Sequence, residues 1–297
     1  MANLITLAEV YTTILDEAYK KGLLTSDLEA DPSLVQLSGD GDTLRIPKVS
    51  TDGLGDYDRA TGYPSGSVDF SWETHTFTVD RAVEFLIDRQ DNLETLDIVF
   101  AATAGQFARM NVQPEIDAYR FAILAANAGT VINADITATD TVEAVDTAVA
   151  QMDNDEVPEE NRLLYVTPTV YKNIKNADLF TRDVVNIGDR NVPAYDNMPI
   201  IKVPQSRFYT GITLNDGSTS FGYTATTGLT DYEISFMIVY KAASLGVVKQ
   251  NQVKIFDPET NQDTDGWKMQ TRLYHDLFVP DNKVNGIYTH TKATAIA

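Results

Sequence analysis

Residues 43–80 read TLRIPKVSTDGLGDYDRATGYPSGSVDFSWETHTFTVD, and they predict two antiparallel strands joined by a long polar tip. The outgoing strand, residues 43–49, contains Pro47, which cannot donate a ladder hydrogen bond and therefore favours an edge position. Residues 51–67 hold four glycines among acidic and aromatic residues and are too polar for a core. Because an isolated two-stranded ribbon is marginal in water, this one indicates a chain completed by its neighbours. An ordinary surface hairpin is the alternative.

The return strand, residues 68–80, changes the phase of its apolar alternation. Its apolar positions are Val68, Phe70 and Trp72, followed one position out of phase by Phe77 and Val79. A strand that bulges near His75 and exchanges its faces would produce this pattern. We therefore expect both faces of the ribbon to require a partner.

Composition limits the class of protein. The chain has 297 residues, 43% of them hydrophobic, which suggests about two domains with a substantial core. It has no cysteine, which excludes disulfides, thiolate zinc sites and a cysteine nucleophile. Its beginning lacks the pattern of a signal peptide, and no stretch approaches the roughly 20 apolar residues that span a bilayer. Cytoplasmic synthesis without membrane association is expected.

The formal net charge is −20, from 43 acidic and 23 basic side chains. The basic residues are scattered, and lysine is absent between Lys48 and Lys172. Nucleic-acid binding by phosphate neutralisation requires Lys and Arg to gather on one face, so this distribution argues against it.

Periodicity predicts an order of elements that runs from helices to strands. An amphipathic helix is expected over residues 4–18, and a very long one over residues 92–127, about 50 Å if continuous. Pro114 predicts a kink or short break in the long helix. Asp140 and Glu143 have the spacing of a capping box, and Thr167 precedes Pro168 as an N-cap. Strands are expected over residues 163–166, 199–203, 236–240, 252–257 and 266–278.

Chemical motifs are absent from the sequence. The three histidines, His75, His275 and His290, have no partner at catalytic spacing. Residues 261–266 match the first half of a twelve-residue calcium-binding loop. The last position of that loop, which should supply a carboxylate ligand, is Arg272, so a solvated turn is the preferred interpretation. We therefore predict no catalytic residue, no cofactor and no metal site. A soluble enzyme remains an alternative only if distant carboxylates assemble a site.

Several stretches resemble the major capsid (coat) proteins of tailed bacteriophages. The C-terminal third carries Asp257-Pro258, Asp265-Gly266, the run from Arg272 to Asp276, and Gly286-Ile287-Tyr288. Residues 115–119 resemble the spine helix of that family, and residues 201–209 resemble a strand-to-loop signature of its axial domain. The stretches occur in the family's order and cover nearly the whole chain.

The resemblance implies the α+β fold that these capsid proteins share with encapsulins and the herpesvirus capsid floor. That fold has an N-terminal arm, an extended β-hairpin loop, a long spine helix, a peripheral sheet and an α/β axial domain. The implied boundaries are 1–42 for the arm, 43–80 for the extended loop, 81–134 and 231–297 for the peripheral domain, and 135–230 for the axial domain.

The implied function is structural rather than enzymatic. The chain would self-assemble into hexamers and pentamers of an icosahedral head in the host bacterial cytoplasm, and would enclose double-stranded DNA without sequence-specific binding. A portal and a decoration protein are further partners expected. Some relatives carry a scaffolding region ahead of the arm, whereas this sequence starts at the arm, so we expect either a separate scaffolding protein or prior removal of that region by a protease. An encapsulin-like compartment enclosing enzyme cargo is the alternative.

Position along the chain selects candidate inter-subunit contact residues. Tyr57, Arg59 and Trp72 lie on the ribbon, and Arg81 and Arg89 lie near its hinge. Some family shells are cross-linked through a lysine near the loop tip. Since no lysine lies at this tip, we expect non-covalent contacts and no isopeptide-linked ladder on a denaturing gel.

Overall fold

A computed structural model describes residues 22–30, 43–90, 106–177, 183–187 and 190–296. The expected N-terminal helix and residues 92–105 of the expected long helix lie outside these ranges. The described helices are α1 (Gln113–Ala126), α2 (Thr141–Asn154) and α3 (Pro168–Asn176). The described strands are β1 (Thr43–Thr51), β2 (Val68–Thr76), β3 (Val79–Asp88), β4 (Thr130–Asn133), β5 (Arg162–Val166), β6 (Asp183–Ile187), β7 (Arg190–Tyr195), β8 (Met198–Lys202), β9 (Ile212–Leu214), β10 (Tyr223–Ala225), β11 (Tyr232–Tyr240), β12 (Leu245–Phe256), β13 (Gly266–Phe278) and β14 (Ile287–Ala295).

The described strands form four sheets. The largest has seven strands in the order β4-β14-β11-β5-β8-β7-β6, and a second has the order β12-β13-β3. The ribbon β1-β2 and the short pair β10-β9 are each two-stranded. In the large sheet β11 pairs antiparallel with both β14 and β5. β4 pairs parallel with β14, and β8 pairs parallel with β5. The mixture of helices with largely antiparallel sheets confirms the predicted α+β class.

Helices cover both faces of the large sheet. Successive residues of a strand point to opposite sides, so each central strand contributes side chains to two cores. On one side its central strands pack with α1, and on the other they pack with α2 and α3. The first core contains Phe121, Leu163, Tyr165, Met237 and Val239, and the second contains Val145, Leu164, Val166, Ile174, Phe236 and Ile238.

Helix α1 is held to the sheet by aromatic packing. The ring of Phe121 lies 5.1 Å from that of Tyr165 and 4.9 Å from that of Phe208, both edge-on. Phe121 has no exposed surface, and complete burial of such a side chain stabilises the fold by about 1.5–3 kcal/mol.

The predicted irregularity at Pro114 takes the form of a π-helical segment, Ala108–Val112, immediately before α1. The N–H of Gln113 bonds to the carbonyl of Ala108, five residues earlier. Pro114 is the second residue of α1, so the wider π-helical turn directly precedes the one residue here that cannot donate an N–H.

Two predicted helix caps have different outcomes. The Thr167 hydroxyl accepts a hydrogen bond from the N–H of Val170, so the predicted cap of α3 is confirmed. The prediction of a capping box at the start of α2 is wrong, because the Asp140 side chain accepts no hydrogen bond from the first turn of the helix. Its carboxylate instead accepts hydrogen bonds from the hydroxyls of Thr137 and Thr139, at 2.5 and 3.0 Å.

The predicted return strand is divided between two sheets. β2 ends at Thr76, and β3 begins at Val79 as the edge strand beside β13. Phe77 and Val79 are buried, at 5% exposure each, so the change of apolar phase marks entry into the core. The expectation of a bulged strand with two unsatisfied faces is therefore wrong.

Residues 231–297 are divided between the two larger sheets. β11 and β14 belong to the seven-stranded sheet, together with strands from residues 130–202, whereas β12 and β13 join β3. The sequence placed all of residues 231–297 in one peripheral unit.

Candidate inter-subunit surface

One face of the ribbon is apolar and exposed. Across the two strands, Pro47 lies opposite Trp72 and Val49 lies opposite Phe70, and these side chains share a face with Val68. Val49 is 60% exposed, Val68 70%, Phe70 59% and Trp72 52%. The rings of Phe70 and Trp72 lie perpendicular at 5.3 Å, a favourable edge-to-face arrangement. The single chain thus leaves a contiguous apolar strip open, which is typical of an interaction surface.

The opposite face of the ribbon is polar and touches its own subunit near the base. The N–H of Asp281 donates to Glu73 at 3.1 Å, and Lys48 Nζ lies 3.8 Å from the Asp281 carboxylate. The apolar face is therefore the one left for a second molecule.

The base of the ribbon is anchored in a small hydrophobic cluster. Leu44, Phe77 and Phe278 are 2%, 5% and 6% exposed, and the rings of Phe77 and Phe278 lie 5.0 Å apart, edge-on. Val247 at the start of β12 completes the cluster. Because its base is buried, the ribbon projects from a fixed position on the subunit.

A buried carboxylate holds the hinge between β2 and β3. Asp276 accepts hydrogen bonds from the N–H and hydroxyl of Thr78, at 2.8 and 3.0 Å. Its other oxygen accepts from the Tyr119 hydroxyl at 2.8 Å. Burial raises the pKa of Tyr119, and the adjacent Asp276 charge raises it further, so this phenol remains a donor. The hinge is thereby tied to both β13 and α1.

Local hydrogen bonds order the tip of the ribbon. Asp52 accepts from the N–H and hydroxyl of Ser67, at 2.7 and 2.8 Å, and these bonds lower the pKa of its carboxyl. The N–H of Gly62 donates to the carbonyl of Asp58 at 2.7 Å. The tip also exposes Leu54 fully and Tyr63 to 90%, so it adds to the apolar surface.

Four of the five predicted contact residues have exposed side chains. Tyr57 is 59% exposed and packs edge-on against Tyr63 at 5.0 Å. Arg59 lies in the exposed tip, and Trp72 lies on the apolar face. Arg89 is exposed at the end of β3, with Nη1 3.9 Å from the Asp265 carboxylate. These positions remain candidate contacts.

Arg81 makes several hydrogen bonds within its own subunit. Its Nε donates to Glu115 on α1 at 2.7 Å, and its Nη1 and Nη2 donate to the carbonyls of Asn215 and Gly222, at 2.6 and 3.2 Å. These bonds hold the Arg81 side chain within its own subunit, and its role as an inter-subunit contact stays a prediction.

A buried polar cluster that no sequence motif indicates lies beneath residues 22–30. Asp117 on α1 accepts hydrogen bonds from the N–H and hydroxyl of Thr25, at 3.0 and 2.8 Å, and from Arg207 at 2.9 Å. Arg120, which is fully buried, donates to the carbonyl of Thr25 at 3.1 Å. Burial raises the pKa of Asp117, and the hydrogen bonds from Thr25, Leu24 and Arg207 oppose that shift. The cluster fixes residues 22–30 on α1.

His275 and His290 pack against aromatic rings, and residues 261–266 form a hydrogen-bonded turn. His275 is buried beside Tyr119, with ring centroids 5.7 Å apart, and His290 stacks on Phe236 at 5.0 Å. The side chain of Asn261 donates to the carbonyl of Gly266 within the turn. Within the described ranges, no group of three or more His, Cys, Asp or Glu is placed to hold a metal ion, and no helix is long and apolar enough to cross a membrane.

No protein-family model and no curated protein matches the sequence. Solved structures match over nearly the whole chain. A mature capsid of bacteriophage PhiM1 has a TM-score of 0.68 at 11% identity, covering 97% of this chain and 92% of that chain. The capsid of Cyanophage P-SCSP1u has a TM-score of 0.65 at 17% identity, covering 97% and 93%. A structure from Mycobacterium phage Che8 has a TM-score of 0.63 at 14% identity, covering 97% and 98%. The chain therefore has the fold of phage capsid structures, as its sequence resemblance implied.

Proposed function

We propose that this chain is the major capsid protein of a tailed bacteriophage, which self-assembles into hexamers and pentamers of an icosahedral head enclosing double-stranded DNA. The observation that carries the proposal is the exposed apolar face of the ribbon. A folded chain gains nothing from holding Val49, Val68, Phe70 and Trp72 in water, whereas a shell covers such a face with an adjacent copy.

The structure of the ribbon supports its use as an inter-subunit arm. Its base is buried and its hinge is hydrogen-bonded, so it is positioned before assembly and less entropy is lost on binding. Many copies of a modest contact, summed over closed symmetry, can stabilise a shell while each contact stays reversible.

The charge of the chain fits an inner wall that does not bind the packaged DNA tightly. With 43 acidic and 23 basic side chains, the protein carries no excess of cations to neutralise phosphates. The named structural neighbours come from phages, which favours a phage head over a compartment for enzyme cargo.

Sheet membership supports revised domain boundaries. We assign strands β4 through β11 and β14, with α2 and α3, to the axial domain, and β3, β12 and β13 to the peripheral domain. Helix α1 contacts both, because Phe121 packs on the large sheet and Tyr119 hydrogen-bonds Asp276 of β13. Scaffolding, portal and decoration proteins remain the expected partners, the virion the expected location, and the host bacterial cytoplasm the expected site of assembly.

The first experiment is to express the chain alone and to analyse it by sedimentation velocity, with negative-stain microscopy of the same fractions. Shells, tubes, sheets or discrete capsomers are the expected products. A protein that stays monomeric at every concentration, also with polyethylene glycol added to promote the contacts that a scaffolding protein would otherwise favour, would contradict the proposal.

A further inference from the structure

Strand β12 has an apolar face that the described part of the subunit leaves uncovered. Val248, Val253 and Ile255 are 40%, 56% and 53% exposed. The register of β12 with β13 places all three on the side of the sheet that carries Met269 and Leu273, which are buried. β12 is also an end strand of this sheet. Three exposed β-branched side chains on one side of an edge strand are typical of a surface that another segment covers.

Helix α1 and the π-helical turn before it cover the neighbouring strands on this side. The ring of Phe107 packs edge-on against that of Phe85 at 4.9 Å, and Arg81 donates to Glu115 at 2.7 Å, so the helical chain runs along β3. β12 lies two strand spacings from β3, about 10 Å, which is also about the distance between the axes of two packed helices. The surface over β12 therefore has the width of one further helix.

Residues 22–30 already follow the line between α1 and β12. Glu29 pairs in parallel with Gly246, near the start of β12. Seven residues earlier, Gly22 lies beside the first residue of α1, Gln113, whose Oε1 is 3.8 Å from the position of a Cβ on Gly22. That oxygen is buried and accepts no hydrogen bond from the described residues. Towards its N-terminus this segment therefore runs in the direction of the exposed end of β12.

Helical dimensions bring Leu15 level with Ile255. Phe85 pairs with Met269, which in turn pairs with Ile255, so Phe107 beside Phe85 marks this level of the sheet. Phe107 lies six residues before the start of α1, about 9 Å along a helix. Leu15 lies seven residues before residue 22, about 10 Å if the expected helix extends to that point.

We propose that residues 4–18 form a helix that docks on β12 of their own subunit, with an apolar stripe that includes Tyr11 and Leu15 packed on Val253 and Ile255. The 3.6-residue apolar period of this segment fits a helix with one buried face. An isolated helix of this length is marginal in water, so β12 supplies the burial that stabilises it. This inference concerns a single subunit and does not depend on the proposed function.

Engineered disulfides test the position of the helix, because the chain has no cysteine of its own. Leu15→Cys with Ile255→Cys should form an intramolecular disulfide on mild oxidation of the dilute monomer, detected by non-reducing electrophoresis and by the mass of the linked peptides. Two controls move one thiol out of reach. Thr13→Cys with Ile255→Cys uses the opposite face of the expected helix, and Leu15→Cys with Lys254→Cys uses the opposite side of β12. Each control should form about tenfold less of the bond.

Hydrogen–deuterium exchange of the monomer provides a second measurement. Amides of residues 4–18 should be protected, and Val253→Asp with Ile255→Asp should reduce this protection by about tenfold or more, because docking would then bury two charges. Gln252→Asp with Lys254→Asp, on the other side of the same strand, should leave it unchanged. Protection of α1 reports whether each variant remains folded.

Each readout has an outcome that overturns the inference. It is overturned if Leu15→Cys and Ile255→Cys do not link, if the controls link equally well, or if residues 4–18 exchange freely in the unmodified monomer. A disulfide that forms only between two chains would show that another copy covers β12, and would also overturn it. Failure of the chain to assemble would count against the proposed function and would leave these readouts unchanged.

Discussion

Asp276 and Thr78 lie 198 residues apart in the chain, and the Asp276 carboxylate accepts two hydrogen bonds from Thr78 where the ribbon leaves the subunit. Asp276 is 3% exposed, so water cannot replace these bonds. The orientation of the ribbon therefore depends on one carboxylate in β13. This carboxylate also accepts a hydrogen bond from the hydroxyl of Tyr119 on α1.

Asp276→Asn should lower the free energy of unfolding by about 1–3 kcal/mol, because an amide can accept fewer of these bonds and leaves buried donors unsatisfied. Chemical denaturation of the unassembled protein measures this. The matched control is Asp80→Asn, which removes an exposed pair with Arg272 and should cost at most about 1 kcal/mol. Equal effects of the two substitutions would contradict the proposed role of Asp276.

Trp72→Ser should lower the stability of the subunit by only about 0.5–1.5 kcal/mol, because the side chain is 52% exposed and the main loss is its edge-to-face contact with Phe70. Assembly should weaken markedly, since an aromatic side chain at an interface is a frequent hot spot. Ser71→Ala, on the opposite face of the same strand, is the control and should assemble normally. Normal shells from Trp72→Ser, judged by light scattering and microscopy, would remove this residue from the interface.

Local patterns in the sequence predicted the elements that depend on neighbouring residues. The ribbon follows from alternation and Pro47, the start of α3 from Thr167 and Pro168, and the irregularity before α1 from Pro114. The resemblance to capsid proteins supplied the overall fold. Those predictions needed only periodicity, turn chemistry and the order of motifs.

The remaining features depend on contacts distant in sequence. Alternation alone could not distinguish a bulge at His75 from the end of a strand, because the new partner of Val79 is His275. β4 has four residues and pairs with β14 near the end of the chain, so no local pattern predicts it. The partners of Asp117, Thr25 and Arg207, lie about 90 residues before and after it in the chain. No local sequence motif could therefore predict this cluster.

Asp117→Ala should destabilise the protein by about 3–5 kcal/mol, because it leaves the buried guanidinium of Arg207 without its carboxylate. It should also release residues 22–30, which would become a site of early cleavage in limited proteolysis. Removing both charges with Asp117→Leu and Arg207→Met should cost less than the single change. Equal losses in the single and double variants would show that the ion pair itself is not the source of the effect.

Acidification should destabilise the subunit through His275. Burial, aided by the nearby Arg120 charge, lowers the pKa of His275 from 6.5 to about 4, so the folded protein holds this ring neutral. Between pH 6.5 and 4 the unfolded chain binds the proton more readily, so stability is fully present above pH 6.5 and is lost as pH falls towards 4. A pKa shift of this size corresponds to a loss in the free energy of unfolding on the order of 3 kcal/mol.

The measurement is chemical denaturation of the unassembled protein between pH 7 and 4. His275→Asn, which removes the titrating ring, should be less stable at pH 7 but should lose less stability on acidification than the unmodified chain. His290 also has a pKa lowered by burial, so His290→Asn serves as the comparison at a second buried site. If the stability of His275→Asn falls as steeply on acidification as that of the unmodified chain, the acid sensitivity comes from groups other than His275.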